Sequence, residues 1–200
     1  MRVFEEKYLD ETINNFEFNG FDGITAFNNV EFNGCLFKDF VANNIVFNNC
    51  YFFDTEFKNI DFSNSKFYNC SFVRTNFLES KLVGVDFDSS AFKKVKIIDC
   101  DNTYNNFGNA DLKEVILKNN KMLKVGFHET SFSKTKFDNC NLDGAEISKT
   151  SLQLIDFSNS SINNILIDNY SLNGLTVNEL QALSLAKLLG IIIKEEKWKY

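Results

Sequence analysis

Few side chains in this 200-residue sequence are able to react or to bind a metal: five cysteines, one histidine and one close pair of carboxylates. Cys35, Cys50, Cys70, Cys100 and Cys140 are separated by multiples of five residues, and none belongs to a C-x-x-C pair. A zinc site needs several thiolate or imidazole ligands at clustered spacing. The five cysteines are therefore expected to be buried, reduced thiols that pack as small hydrophobes. His128 follows Phe127 and is expected to face solvent, without the partners that a catalytic triad or a metal site demands. Asp86-Phe87-Asp88 places two carboxylates on one face of an extended segment, able to hold a cation weakly. Acid–base work by such a pair needs a cleft that separates the two pKa values. No phosphate-binding glycine loop is present. The expectation is a protein that is not an enzyme and has no metal and no cofactor.

The elements that carry these residues follow from a period of five. From Phe27 to Val177 every fifth residue is apolar, with Asn102 the one polar occupant, and 17 of the chain's 23 Phe fall on this residue class. Five residues advance an α-helix by about 500°, which would scatter the Phe round its circumference. In a straight strand an odd step alternates the faces. The period is satisfied if the chain turns a corner once per repeat, always in the same sense, with the central side chain pointing to the axis of a solenoid. Two residues before the centre, small or β-branched side chains dominate (Val30, Cys50, Ser65, Val85, Thr130), as a second inward position beside a Phe stack requires. Two residues after it, Asn and Gly dominate (Asn44, Asn64, Gly84, Asn119, Gly144), the residues that accept φ > 0 at a turn. The flanking positions carry most of the charge and face water.

Composition agrees with one soluble domain that has a sizeable core. The net charge of -6 argues against a general nucleic-acid binder. It permits an acidic protein that competes with nucleic acid for a basic partner. The start Met1-Arg2-Val3-Phe4-Glu5-Glu6 lacks an apolar signal core, and Ile191-Ile192-Ile193 is too short to span a bilayer. A cytoplasmic protein without membrane contact is expected.

Three segments are expected. Residues 1–15 form a lead-in or cap, 16–177 the repeat stack, and 178–200 a terminal helix, short strand and tail. Phe16 and Phe21 are one residue out of phase with Phe27, which a one-residue insertion near Gly23 would reconcile. Phe40 is expected to fill volume left by Ala42. Asn102, with Tyr104 and Asn105 beside it, points to a local bulge. Asn178-Glu179-Leu180-Gln181 reads as a capping box, and Gly190 as the helix stop. Ile191–Ile193 is expected to form a strand, and Trp198 to pack at the cap or at a dimer contact.

Segments such as Ala110-Asp111-Leu112-Lys113-Glu114 and Cys140-Asn141-Leu142-Asp143-Gly144 match the loose consensus A-(D/N)-(L/F)-x-x. Over residues 25–177 the chain resembles the pentapeptide-repeat proteins. The resemblance implies an all-β fold, a right-handed quadrilateral β-helix with four repeats per coil and nearly eight coils, closed by a C-terminal capping or dimerisation α-helix. The terminal pattern Gln181-Ala182 with Leu188-Leu189-Gly190-Ile191 resembles the Qnr-type members. That implies a homodimer through the helix and strand, with Leu180, Leu183, Leu188, Ile191 and Ile193 at the interface.

The same resemblance implies a partner. Qnr-type and mycobacterial-type members mimic duplex DNA, engage DNA gyrase or topoisomerase IV without contacting nucleic acid, and modulate fluoroquinolone action. The side of the rod that contains Phe87 is the acidic one, with Asp86, Asp88, Glu129, Glu146 and Asp168 against Lys66 and Lys149, and it is the expected partner-binding face. The repeat phase never breaks after Phe27, so the projecting loops of many Qnr proteins are absent. Immunity to a gyrase-directed toxin, or an adaptor rod for an unrelated protein, are the alternatives.

Overall fold

The structure, a computed structural model, describes residues 11–21 and 23–194. Residues 1–10 of the expected lead-in, and Trp198, lie outside them. The described chain winds into a parallel β-solenoid of about eight turns with four sides per turn, closed by one helix, α1 (Glu179–Leu188). Among the described residues no helix is long and apolar enough to cross a membrane.

Each side is a column of residues twenty apart. On the Phe72 side, seven three-residue strands stack from Thr12–Asn14 to Ser131–Ser133. Their register sets Phe52, Phe72 and Phe92 directly above one another. The Phe77 side carries a second sheet of seven strands, from Glu17–Phe18 to Lys136–Asp138. The Phe87 side has two three-stranded sheets joined by single bridges through Asp86 and Asn106, and the Asn102 side is built from bridges alone. All pairings are parallel, as they must be when the chain always turns in one sense.

The three positions inferred from the period take their expected places. The central residues from Phe27 to Phe127 are buried, Phe132 and the last centres Ile167, Leu172 and Val177 partly so, and like rings stack between coils at 4.6 Å for Phe47–Phe67 and 4.9 Å for Phe52–Phe72. The corner residue has φ between +50° and +71° from Asn29 to Asn164, Asn159 excepted. Asn and Gly lead here, but Arg74, Glu79, Lys94 and Leu154 adopt the same left-handed conformation. That strain is local and modest per residue, and the ladders above and below over-determine it.

The second inward position does more than save space. Ser65 accepts the Ile45 N–H at 3.1 Å and donates to the Ala42 carbonyl at 3.0 Å, both in the coil beneath. Ser90, Cys100 and Thr150 repeat this double link. Each corner leaves backbone groups facing inward, and a hydroxyl or thiol there satisfies them. The five cysteines are buried as expected, and all five donate to backbone carbonyls of the coil beneath at 3.3–3.5 Å. Burial pushes the Cys100 thiol up to about 12, and Cys35, Cys70 and Cys140 move the same way. The thiols therefore act as hydrogen-bond donors as well as small hydrophobes.

Four details differ from the sequence reading. First, the coil at the N-terminal end is centred on Ile13 and Phe18, which pair with Phe32 and Phe37 at a separation of 19 residues. Phe16 instead takes the second inward position, edge-on to Phe18 at 4.7 Å. The phase change does fall near Gly23, in a turn where the Ile24 N–H reaches the Phe21 carbonyl at 2.9 Å and Gly23 has φ +74°. Its effect is to shorten that coil by one residue. Second, Phe40 is only half-buried and meets Phe21 edge-on at 5.1 Å, and Phe21 also contacts Phe27 and Phe47. The two rings fill that end of the core together.

Third, no bulge occurs at Asn102. Asp101 pairs in register with Lys81 and Lys121, and Asn102 itself is fully buried. Its carbonyl oxygen accepts from the Asn105 amide at 3.1 Å, and this short link replaces the distortion that a lone buried amide seemed to require. Fourth, Ile191–Ile193 forms no strand. A strand needs a neighbour, and α1 covers the end of the rod where one would pair.

Candidate binding surfaces

The five carboxylates of the expected partner face do share one side of the rod, over four coil steps of about 4.8 Å each. They do different things there. Asp86 Oδ1 accepts from the Asn106 side chain at 2.8 Å and from the Asp88 N–H at 3.2 Å. Asp88 accepts from the Asn109 side chain at 3.0 Å and from Ser89 at 2.8 Å. Glu129 pairs with Lys149 at 3.0 Å, one coil above, and lies 3.5 Å from His128 Nε2. The hydrogen bond from Lys149 holds the Glu129 carboxyl below its ordinary pKa. Asp168 caps the end of the column, accepting the N–H groups of Lys149 at 2.6 Å and Ser171 at 2.7 Å. Those backbone hydrogen bonds lower its pKa. Glu146 is exposed, with neither an ion pair nor a hydrogen bond to its carboxylate among the described residues. His128 is exposed, as expected, with Nδ1 2.7 Å from Ser148 Oγ.

Charge pairing between coils recurs round the rod. Arg74 grips Asp54 with two contacts of 2.6 Å. On the Asn102 side Lys81 meets Asp61 at 3.2 Å and Lys121 meets Asp101 at 3.1 Å. A separation of twenty residues is the signal for such pairs, as it is for the core. Among the described residues no group of three or more His, Cys, Asp or Glu could hold a metal ion.

The C-terminal end offers a different surface. The capping box forms as expected: the Asn178 side chain accepts the Gln181 N–H at 3.0 Å, and Gln181 Oε1 accepts the Asn178 N–H at 2.8 Å. Gly190, with φ +76°, ends the helix, its N–H bonding the Lys187 carbonyl and the Ile191 N–H the Ala186 carbonyl. Docking rests on Leu185 and on Gln181, whose amide donates to the carbonyls of Phe157 at 3.0 Å and Ser160 at 2.7 Å. The sequence places Gln181 in the capping box and in the Qnr-type terminal pattern, but does not show that it bolts the helix to the last coil. Leu180, Leu183, Leu188, Leu189, Ile191 and Ile193 stay exposed, and Ile192 is 92% exposed.

A family model described as "Pentapeptide repeat region" matches residues 46–126 and 70–147, together half of the chain. No curated protein sequence matches significantly. The structure of HetL, a pentapeptide repeat protein involved in heterocyst differentiation regulation from the cyanobacterium Nostoc sp. strain PCC 7120, superposes with a TM-score of 0.56 at 11% identity, covering 84% of this chain and 87% of that one. A trypsin-treated variant of QnrB1, a plasmid-mediated fluoroquinolone resistance protein, matches at 19% identity over 94% of this chain and all of the other, with a TM-score of 0.48. At 11% identity the likeness to HetL speaks to the fold.

Proposed function

We propose, on the premise that this chain belongs to the pentapeptide-repeat proteins, that it is a non-catalytic binding rod whose partner is a type II topoisomerase. In this reading the Phe87 side offers carboxylates to a basic DNA-binding surface of the enzyme in place of phosphates. The rod then competes with DNA and modulates fluoroquinolone action. The observation that carries the reading is the run of outward carboxylates from Asp86 to Asp168 along about 19 Å of an uninterrupted rod. The twenty-residue register holds from Ala26↔Val46 to Asp156↔Thr176, so the whole face is available without a projecting loop.

The test is DNA supercoiling by purified gyrase, with and without ciprofloxacin, titrated with the protein. Supercoiling or drug-induced cleavage should change at micromolar protein. Reversal of Asp86, Asp88 and Glu129 to Lys should abolish the effect while the circular dichroism spectrum is kept. No change with the parent protein would end the topoisomerase reading. Unchanged activity of the reversed variant would move the interface to another side.

The same proposal makes the molecule a homodimer through its C-terminal end. Exposed leucines on α1 and the strand-free backbone of Ile192–Ile193 lie next to each other, and a second copy would cover both. Leu183→Asp with Leu188→Asp should give monomers in light scattering at a concentration where the parent is dimeric. A dimer that survives both changes would place the contact elsewhere.

A further inference from the structure

Six lysines share one edge of the rod against a single carboxylate, Glu114. Lys93 and Lys113 lie on the Phe72 side next to the corner, Lys94 and Lys134 occupy the corner itself, and Lys96 and Lys136 lie just beyond it on the Phe77 side. The ladders fix this placement: Lys93 is in register with Lys113, and Lys96 with Ile116 and then Lys136. All six are exposed, and Glu114 is the one carboxylate within the strip. None of the six takes part in an ion pair or a cation–ring contact among the described residues. Elsewhere on the rod Lys38, Lys81, Lys118, Lys121 and Lys149 are paired with acids, and Lys66 and Lys124 lie over tyrosine rings. The patch is bounded, because one coil below Lys94 the corner holds Arg74, already engaged by Asp54. One coil beyond Lys136 the strip carries Asp156.

We infer that this edge is a binding surface for the phosphates of duplex nucleic acid, contacted without sequence preference. Three coils span about 10 Å of rod at about 4.8 Å per coil, and they carry six ammonium groups. A duplex carries one charge per about 1.7 Å, or roughly six over the same length. An extended acidic peptide, at about 3.4 Å per residue, offers at most about three. A bilayer is flat and would meet a projecting corner along a line. The residues are all lysine, a point charge suited to phosphate contact without the bidentate fork that reads guanine. The overall charge of -6 does not oppose this at physiological salt, where screening acts within about 8 Å and the acidic Phe87 side belongs to a different face. The inference does not depend on the topoisomerase reading.

The experiment is fluorescence anisotropy of the full-length protein with a labelled 20-base-pair duplex of mixed sequence, titrated from 50 to 200 mM salt. Binding should fall with a log–log salt slope of about -4 to -5, the value for about five neutralised phosphates. Lys94→Glu, Lys134→Glu and Lys136→Glu together should weaken binding at 50 mM salt more than about tenfold and cut the slope by about three. Glu already occupies the equivalent corner at Glu79, Glu114 and Glu129 with φ of +51° to +57°, so this variant folds without new strain. Lys66→Glu, Lys124→Glu and Lys187→Glu change net charge equally and should leave binding within about twofold of the parent. Equal loss in the two triple variants overturns the inference, as does absence of duplex binding at 50 mM salt. So does capture by polyglutamate or phosphatidylserine vesicles of a protein that ignores the duplex. Because the edge variant keeps the Phe87 side intact, it also separates inhibition of gyrase through the enzyme from simple sequestration of DNA.

Discussion

Phe87→Ala is expected to destabilise the rod by about 4 kcal/mol, the central value for truncating a buried aromatic side chain. Phe87 lies in the middle of the stack, fully buried, with Phe67 and Phe107 stacked against it at 5.3 and 5.1 Å. Phe72, Phe77 and Phe92 surround its edge at 5.4–6.2 Å. The cost depends on how far the surroundings relax into the space left behind, and here they have little freedom. Each coil is hydrogen-bonded to the coil above and the coil below: the Asp86 N–H reaches the Ser65 carbonyl at 3.0 Å and the Phe87 N–H reaches the Asn106 carbonyl at 2.8 Å. A missing ring therefore stays missing. For a chain of this length, about 4 kcal/mol lowers Tm by roughly 8–16 °C. Phe132→Ala, at a partly exposed centre, should cost less than half as much. Thermal and urea melts followed by circular dichroism decide the matter. Equal shifts for the two variants would mean that the mid-rod coils relax more freely than their ladders allow.

The same ladders explain what was legible in the sequence. A solenoid repeats one environment, so an occupant such as Phe62 or Phe77 reports on every coil, and the centre and corner positions could be assigned from spacing alone. The second inward position was read as a matter of size because Ser65, Cys70, Val85 and Ala110 have similar volumes. Its hydrogen bonds run to backbone groups 20 and 23 residues earlier, which no local pattern displays. Phe16 offers the wrong phase for the first coil, whereas the ladder selects Ile13 and Phe18, each followed two residues later by a residue suited to the corner. The spacing puts the five carboxylates on the Phe87 side, but it does not show that Asp168 caps backbone N–H groups. A sum of charge over each side divides Lys93 from Lys96, although the corner brings them to one edge. Net charge is an average over surfaces that a partner never averages.

Replacing Asn102 by Leu and Asn105 by Ser together is expected to stabilise the protein by about 2 kcal/mol, a rise in Tm of roughly 4–8 °C. Asn102 is fully buried, and its amide nitrogen has no hydrogen-bond partner. An unsatisfied buried donor costs about 1–3 kcal/mol. Leucine removes that donor and adds apolar surface to a column that holds Leu82 and Met122 in the coils on either side. Alone it would strand the Asn105 amide, which donates to Asn102, so the single variant should gain little. Serine at position 105 restores the double link seen at Ser65, accepting the Val85 N–H that Asn105 now accepts at 2.9 Å. Asn120 provides the contrast. It is the same residue type at equal burial, but its oxygen accepts the Cys100 N–H at 2.9 Å and its nitrogen donates to the Ile97 carbonyl at 2.7 Å. Asn120→Leu should therefore cost about 2–4 kcal/mol, since it orphans two backbone groups at once. If the Asn102 and Asn105 pair proves destabilising, a buried water must complete the amide, and both asparagines are then structural. Opposite signs for the two sites would show that in this rod wiring, rather than polarity, decides whether a buried amide stabilises its coil.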